Sequence, residues 1–195
     1  MIAQRRKAAI SCFIDSDYST DAGQVIYKVN KSGPSVTTLR KAVNNDHFAQ
    51  YAEVEFHTYR STCFRFQNRD VSVEDHFRKE GWFNPRWVFR AADNREYYWK
   101  LDGSYLEMFR NDGSKKVVVR YREHKSSFGP FITGRPASLE VADTCVAILD
   151  DIIMTYVYCQ QKRKQRQASI NTGVNASTGV ASGSSSGGCD GGGSC

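Results

Sequence analysis

Apolar and polar residues alternate with a period of two over 24–30, QVIYKVN, and over 52–59, AEVEFHTY, as a strand with one buried face requires. Val54 and Phe56 are thereby placed on the inner side of the second segment. The alternation returns at STCFRFQ, 61–67, whereas 73–79 breaks it with a Glu-Asp-His cluster compatible with a short helical turn, and Gly81 and Pro85 bracket a loop. From Trp87 the segments WVFRA, REYYWKL, SYLEMFR and KKVVVRYRE are separated by Asp93-Asn94, Asp102-Gly103 and Asp112-Gly113, about ten residues apart. Asp-Gly accepts the positive φ of a tight hairpin turn, so the spacing predicts a meander of adjacent antiparallel strands. Val117, Val119 and Tyr121 fall on one face of its last strand.

Glycine and proline make Ser126 to Pro136 a loop, and ASLEV, 137–141, is the expected final strand. Asp143 or Thr144 then suits the amino-terminal cap of a helix. The run Cys145 to Cys159, CVAILDDIIMTYVYC, is apolar on nearly every face, the mark of a helix enclosed by protein or lipid. Its 15 residues span about 22 Å at about 1.5 Å each, short of a bilayer core of about 30 Å. Asp150 and Asp151 would each add roughly 2.5 to 3.5 kcal/mol near a membrane centre. A buried core helix is expected, with no transmembrane span. Past Arg166 the composition turns to Ser, Gly, Ala, Thr and Asn, which cannot bury enough apolar surface to offset ordering. The expected organisation is a domain over 1–167 and a disordered Gly/Ser-rich tail over 168–195 holding Cys189 and Cys195.

Length and composition change this picture little: 195 residues with 40% hydrophobic content support one core. Charge adds more. Residues 1–167 hold all 27 Lys and Arg but 20 of the 21 Asp and Glu, a net charge of +7, so the domain suits an acidic partner: phospholipid, nucleic acid or another protein. Arg5-Arg6-Lys7 precedes an apolar stretch that stops before Asp15, too short for a convincing secretory signal, and an intracellular protein is expected. Cys12, Cys63, Cys145 and Cys159 sit in apolar strand-like or helical contexts without metal-site spacing and read as buried thiols.

Candidate chemistry is sparse. His47, His57, His76 and His124 are scattered without metal-ligand spacing. A His57 and Cys63 pair across a hairpin is the nearest approach to a nucleophile with a base, and no Gly-rich phosphate loop is present. The expectation is a non-enzymatic domain with no cofactor. Lys100, Lys116, Arg120 and Arg122 beside Tyr98 and Tyr121 match a sheet face for nucleic acid, but alternation alone explains them as an outer face, and nucleic acid is not the expected partner. For an anionic membrane, Lys162, Arg163, Lys164 and Arg166 at the helix exit are the candidate contacts, with Lys116, Arg120 and Arg122 on the meander. Cys189 and Cys195 are candidate lipidation sites, since a polybasic patch joined to an acyl chain gives stable attachment. The plainer alternative is that KRKQR, 162–166, completes the helix dipole and keeps its end in water. A protein partner docking on loops such as Ser126 to Gly134 is the rival expectation.

TTLRKA at 37–42, FRKEGWF at 77–83, WVFRAADNREYYWKL at 87–101, VVVRYRE at 117–123 and PASLEV through TYVYCQQKRK at 136–164 together resemble a tubby-like domain. More closely they are similar to the fungal tubby-like family known only as a domain of unknown function. Asp93-Asn94 stands where Asp-Gly would be expected. The resemblance covers about residues 10–166 and implies a mainly β fold: a closed antiparallel β-barrel threaded by its hydrophobic carboxy-terminal helix, about 144–165. It also implies kinship with phospholipid scramblases and LURP-one-related proteins, whose shared theme is the membrane surface. Peripheral association with anionic phospholipid is the expected function.

Overall fold

The computed structural model describes residues 7–11, 16–44, 47–57, 59–66, 69–82, 85–102, 105–124 and 137–177. Its strands are β1 (Lys7–Ser11), β2 (Ser16–Ser19), β3 (Val25–Lys31), β4 (Val36–Ala42), β5 (Phe48–Glu55), β6 (Cys63–Phe66) and β7 (Arg69–Ser72). After a single helical turn, α1 (Val73–His76), come β8 (Arg78–Glu80), β9 (Arg86–Arg90), β10 (Glu96–Asp102), β11 (Tyr105–Arg110), β12 (Val117–Arg122) and β13 (Ser138–Ala142). A 3-10 turn over Asp143–Ile148 leads into α2 (Leu149–Ser177). The strands pair antiparallel in the order β7-β6-β5-β4-β3-β2-β1-β13-β12-β11-β10-β9-β8.

The predicted meander is present, with β9 to β12 as consecutive neighbours. Asn94 takes φ 61°, the conformation for which Asp-Gly would be the usual choice, and Gly113 takes φ 79°. A bulge between Met108 and Phe109 shifts the register against β12, so Val118 is buried as well as Val119. The ambiguous segment 73–79 resolves into α1 followed by β8. Ser72 caps α1, its side chain accepting the Asp75 amide at 3.1 Å.

α2 is the pillar of the core. Ile152, Ile153, Met154, Tyr156, Val157, Tyr158 and Cys159 are all buried, which explains a helix without a polar face. Tyr156 meets Tyr18 of β2, Trp99 of β10 and Tyr121 of β12, with ring centroids 6.4, 6.2 and 5.7 Å away. Two residues on, Tyr158 meets Phe64 of β6 at 5.7 Å, and Phe77 and Trp87 each at 5.6 Å. Distant parts of the ladder therefore pack on one helix, and each buried aromatic contributes roughly 1.5 to 3 kcal/mol by leaving water. The Trp99 indole N–H donates to Thr155 Oγ1 at 2.9 Å, and that hydroxyl donates to the Asp151 carbonyl at 2.7 Å, pinning the helix to the sheet.

The mainly β fold with one carboxy-terminal helix is present, and strand pairing by itself does not close it into a barrel: the ladder ends at β7 and β8, with α1 and Phe77 between them in the chain. Two expectations are corrected. Neither Asp143 nor Thr144 caps a helix; the 3-10 turn is entered from Ala142 without a side-chain cap. α2 also outruns its expected end near 165 and reaches Ser177, because a buried amino-terminal half nucleates helix that propagates cheaply into the following residues. Among the described residues no helix is long and apolar enough to cross a membrane. The loop Ser126 to Gly134 and Cys12, Cys189 and Cys195 lie outside the described residues.

The direction of α2 gives the molecule two distinct ends. At the entry end Asp150 accepts the Tyr27 hydroxyl at 2.5 Å and Lys41 Nζ at 2.8 Å, and Asp151 accepts the Ala92 amide at 2.9 Å. At the exit end Phe56 stacks on Tyr158 at 6.3 Å, and Arg163 reaches Glu123, just past β12, at 3.2 Å.

Candidate functional site

Four candidate cations follow one another on α2, and the helix separates them by facing. Arg163 is only 4% exposed. Its guanidinium lies 5.2 Å from the Tyr121 ring centroid and donates to Glu123 at 3.2 Å. It is a packing residue at the mouth of the sheet, with its charge answered on the spot. Lys162 turns its ammonium over the Tyr158 ring at 5.7 Å. Lys164 and Arg166 are exposed, and so is every residue from Lys164 to Ser169, so the helix has left the sheet by this point.

A groove of about 640 Å³ runs beside this exit, lined by Glu74, Lys79, Trp87, Tyr158, Lys162, Arg166 and neighbouring α2 residues. β8 and β9 form its outer wall. Lys79 pairs with Trp87 across these strands and holds its ammonium 5.9 Å from the indole centroid. Lys79, Lys162 and Arg166 thus converge on a partly aromatic floor facing one carboxylate, Glu74. Among the described residues none of Lys79, Lys162, Lys164 and Arg166 is held by an ion pair, which leaves their charge available to an anion at the surface.

The meander candidates do not join them. Arg120 Nε donates to Glu107 at 2.6 Å, and Arg122 forms a two-pronged pair with Glu140. The hydrogen bonds to Glu140 hold the Arg122 guanidinium more firmly charged than usual, yet they also spend its donors. Lys116 precedes β12, whose first residues face the entry end, and its amide bonds Ser114. The seven sequence candidates therefore divide into an exit cluster of Lys162, Lys164 and Arg166, the buried Arg163, two paired arginines and one lysine at the far end. Lys79 was missed by sequence reasoning; β8 is three residues long, too short to show alternation, and only the turn at Gly81 marks it.

Other candidate chemistry is not assembled. His57 Nε2 lies 3.6 Å from Glu55, whereas Cys63 Sγ contacts the Ser61 carbonyl at 3.7 Å. Cys145 and Cys159 are buried free thiols, with burial pushing the Cys159 thiol well above its ordinary pKa. Among the described residues no group of three or more His, Cys, Asp or Glu is placed to hold a metal ion. His76 sits among Phe64, Phe77 and Phe89 with ring centroids 5.1 to 5.8 Å away; its Nε2 is buried without a hydrogen-bond partner, and burial pushes its pKa down to about 4. It is a half-buried residue packed among aromatics. A depression of about 710 Å³ on the outer wall includes Arg65, but Glu53, Glu55 and Asp70 already surround that guanidinium at 3.9, 2.6 and 3.4 Å.

The sequence profile of a family described as "Family of unknown function (DUF6593)" matches residues 13–165. No curated protein and no solved structure matches the chain.

Proposed function

The chain belongs to this family of unknown function, and from that premise we propose that it is a non-enzymatic intracellular domain that associates peripherally with anionic phospholipid membranes through the end where α2 leaves the sheet. The observation that carries this reading is the set of cations at that exit: Lys79, Lys162 and Arg166 around one groove, with Lys164 beside them. Each Lys or Arg held near an anionic leaflet contributes about 1 kcal/mol, screened within a Debye length. The resemblance to tubby-like domains supports the same reading, with the fold taken as a barrel whose seam between β7 and β8 is sealed by α1. Acylation of Cys189 or Cys195 would supply the second signal that stable attachment needs.

The test is flotation of the full chain with phosphatidylcholine vesicles, with and without phosphatidylserine, over a range of salt. The expected result is flotation only with phosphatidylserine, weakening steeply as salt rises. Equal flotation with both vesicle types, or none with either, contradicts the proposal.

A further inference from the structure

The large hydrophobic residues that the fold leaves exposed are not scattered. Tyr59 is 98% exposed, Trp82 91% and Tyr105 62%; among the described residues Val43 and Val146 are the other exposed large hydrophobics. Val43 follows β4 and Val146 lies in the 3-10 turn before α2, both at the entry end. The three aromatics lie at the other end, as strand register shows. β5 runs toward Phe56 and its stack on Tyr158, so the β5–β6 loop carrying Tyr59 is at the exit. β9 runs from Trp87, against Tyr158, to Ala92, against Asp151, so the β8–β9 turn carrying Trp82 is at the exit too. β10 pairs antiparallel with β9, which brings Asp102 and its β11 partner Tyr105 to the same level.

These three aromatics also form one arc. Phe77 touches Phe64 of β6 and both Trp87 and Phe89 of β9, so the two ends of the ladder meet there. Going round the exit, Tyr59 before β6, Trp82 after β8 and Tyr105 at the start of β11 are therefore successive. The basic groove opens beneath the middle one. Arg60 beside Tyr59, and Arg86 at 5.2 Å from the Tyr98 ring, extend the positive charge along the arc, and both are exposed.

We infer that Tyr59, Trp82 and Tyr105 are interfacial anchors that enter the headgroup region of a bilayer while the groove cations hold its anionic lipids. This rests on the membrane reading above and gives it an orientation and a second source of affinity. Trp and Tyr are the side chains that favour a membrane–water boundary, with an apolar ring and a polar edge. A protein groove would call for apolar side chains packed against one another, whereas these three are carried by separate elements, before β6, after β8 and at the start of β11, with Arg60 and Arg86 exposed near two of them. α2 sets the tilt. From Lys164 to Ser177 it extends about 21 Å at about 1.5 Å per residue, and its exposed Lys164, Gln165, Arg166 and Gln167 do not enter hydrocarbon end-on. The bilayer is met along the arc, with the helix lying against its surface.

The experiment uses the full chain and vesicles of phosphatidylcholine with phosphatidylserine, some containing brominated acyl chains. Trp99 is fully buried and Trp87 half-buried, so Trp82 is isolated by comparing wild type with Trp82→Phe. The expected result is a blue shift and bromine quenching that Trp82→Phe largely loses. The triple variant Tyr59→Ser, Trp82→Ser, Tyr105→Ser should keep its thermal unfolding profile, bind at least roughly tenfold more weakly, and lose the binding that survives high salt. Wild-type binding with no change in Trp82 emission, and a triple variant that binds within twofold of wild type, overturns the anchors and leaves the electrostatic reading standing. No binding by wild type overturns both.

Discussion

Arg163 and His76 show how far a residue's surroundings decide its role. In sequence Arg163 is one of four cations in a row, yet it is turned inward over Tyr121 while its neighbours face water. Arg163→Ala is expected to lower stability by roughly 1 to 2 kcal/mol through lost packing and cation–π contact, measured by urea unfolding, with vesicle binding by the folded fraction unchanged. His76 makes a pH prediction. Its folded pKa of about 4 lies below the ordinary value of 6.5, so between these values the unfolded chain binds a proton that the folded chain refuses. Its neutral burial therefore costs nothing above pH 6.5, and stability is lost as pH falls from 6.5 toward 4, by on the order of 3 kcal/mol at most. His76→Leu removes this component, so unfolding free energies of wild type and variant should diverge with falling pH; a constant difference would show that His76 does not titrate this way. Neither role was legible in the sequence, because a face of α2 and an aromatic surround drawn from β6, Phe77 and β9 exist only once the chain has folded.

The elements were read most easily where alternation or turn chemistry ran long. β3, β5, β6, the β9 to β12 meander and β13 all follow from period-two patterning and Asp-Asn or Asp-Gly turns. β1, β2, β4, β7 and β8 carry no such signal. TTLRKA of β4 mixes polar with apolar positions, and its buried Thr37 and Thr38 look solvent-facing on paper. α2 was legible as a buried helix because it is apolar on every face, but its carboxy-terminal limit was not, since past Arg166 composition argues for coil while helix propagation carries on. The joint between α2 and the sheet is the Thr155 hydroxyl, shared by the Trp99 indole and the Asp151 carbonyl. Thr155→Val keeps the shape and leaves the buried indole N–H without an acceptor, which should cost roughly 1 to 3 kcal/mol in chemical denaturation. A loss under 0.5 kcal/mol would mean that the indole finds another acceptor.

For the whole molecule, two ends with different chemistry are the central finding. The entry end answers the carboxylates that begin α2, with Tyr27 and Lys41 on Asp150 and the Ala92 amide on Asp151, whereas the exit end gathers exposed aromatics with Lys79, Lys162, Lys164 and Arg166, which among the described residues have no ion-pair partner. The basic run at 162–166 pointed to this end, but the sequence alone did not separate Lys116, at the far end, from Lys79, in the groove. Tyr59, Trp82 and Tyr105 are far apart in the chain, and topology alone makes them neighbours. The most direct test of the account is vesicle flotation of two charge-reversed full-length variants. One carries Lys162→Glu, Lys164→Glu and Arg166→Glu at the exit; the other carries Arg95→Glu, Lys115→Glu and Lys116→Glu at the entry end, an identical change in net charge. With phosphatidylserine vesicles at low salt, the exit variant should stay at the bottom of the gradient and the entry variant should float like wild type. If both lose flotation equally, the attraction belongs to overall charge; if the exit variant floats like wild type, the lipid-facing end is placed wrongly.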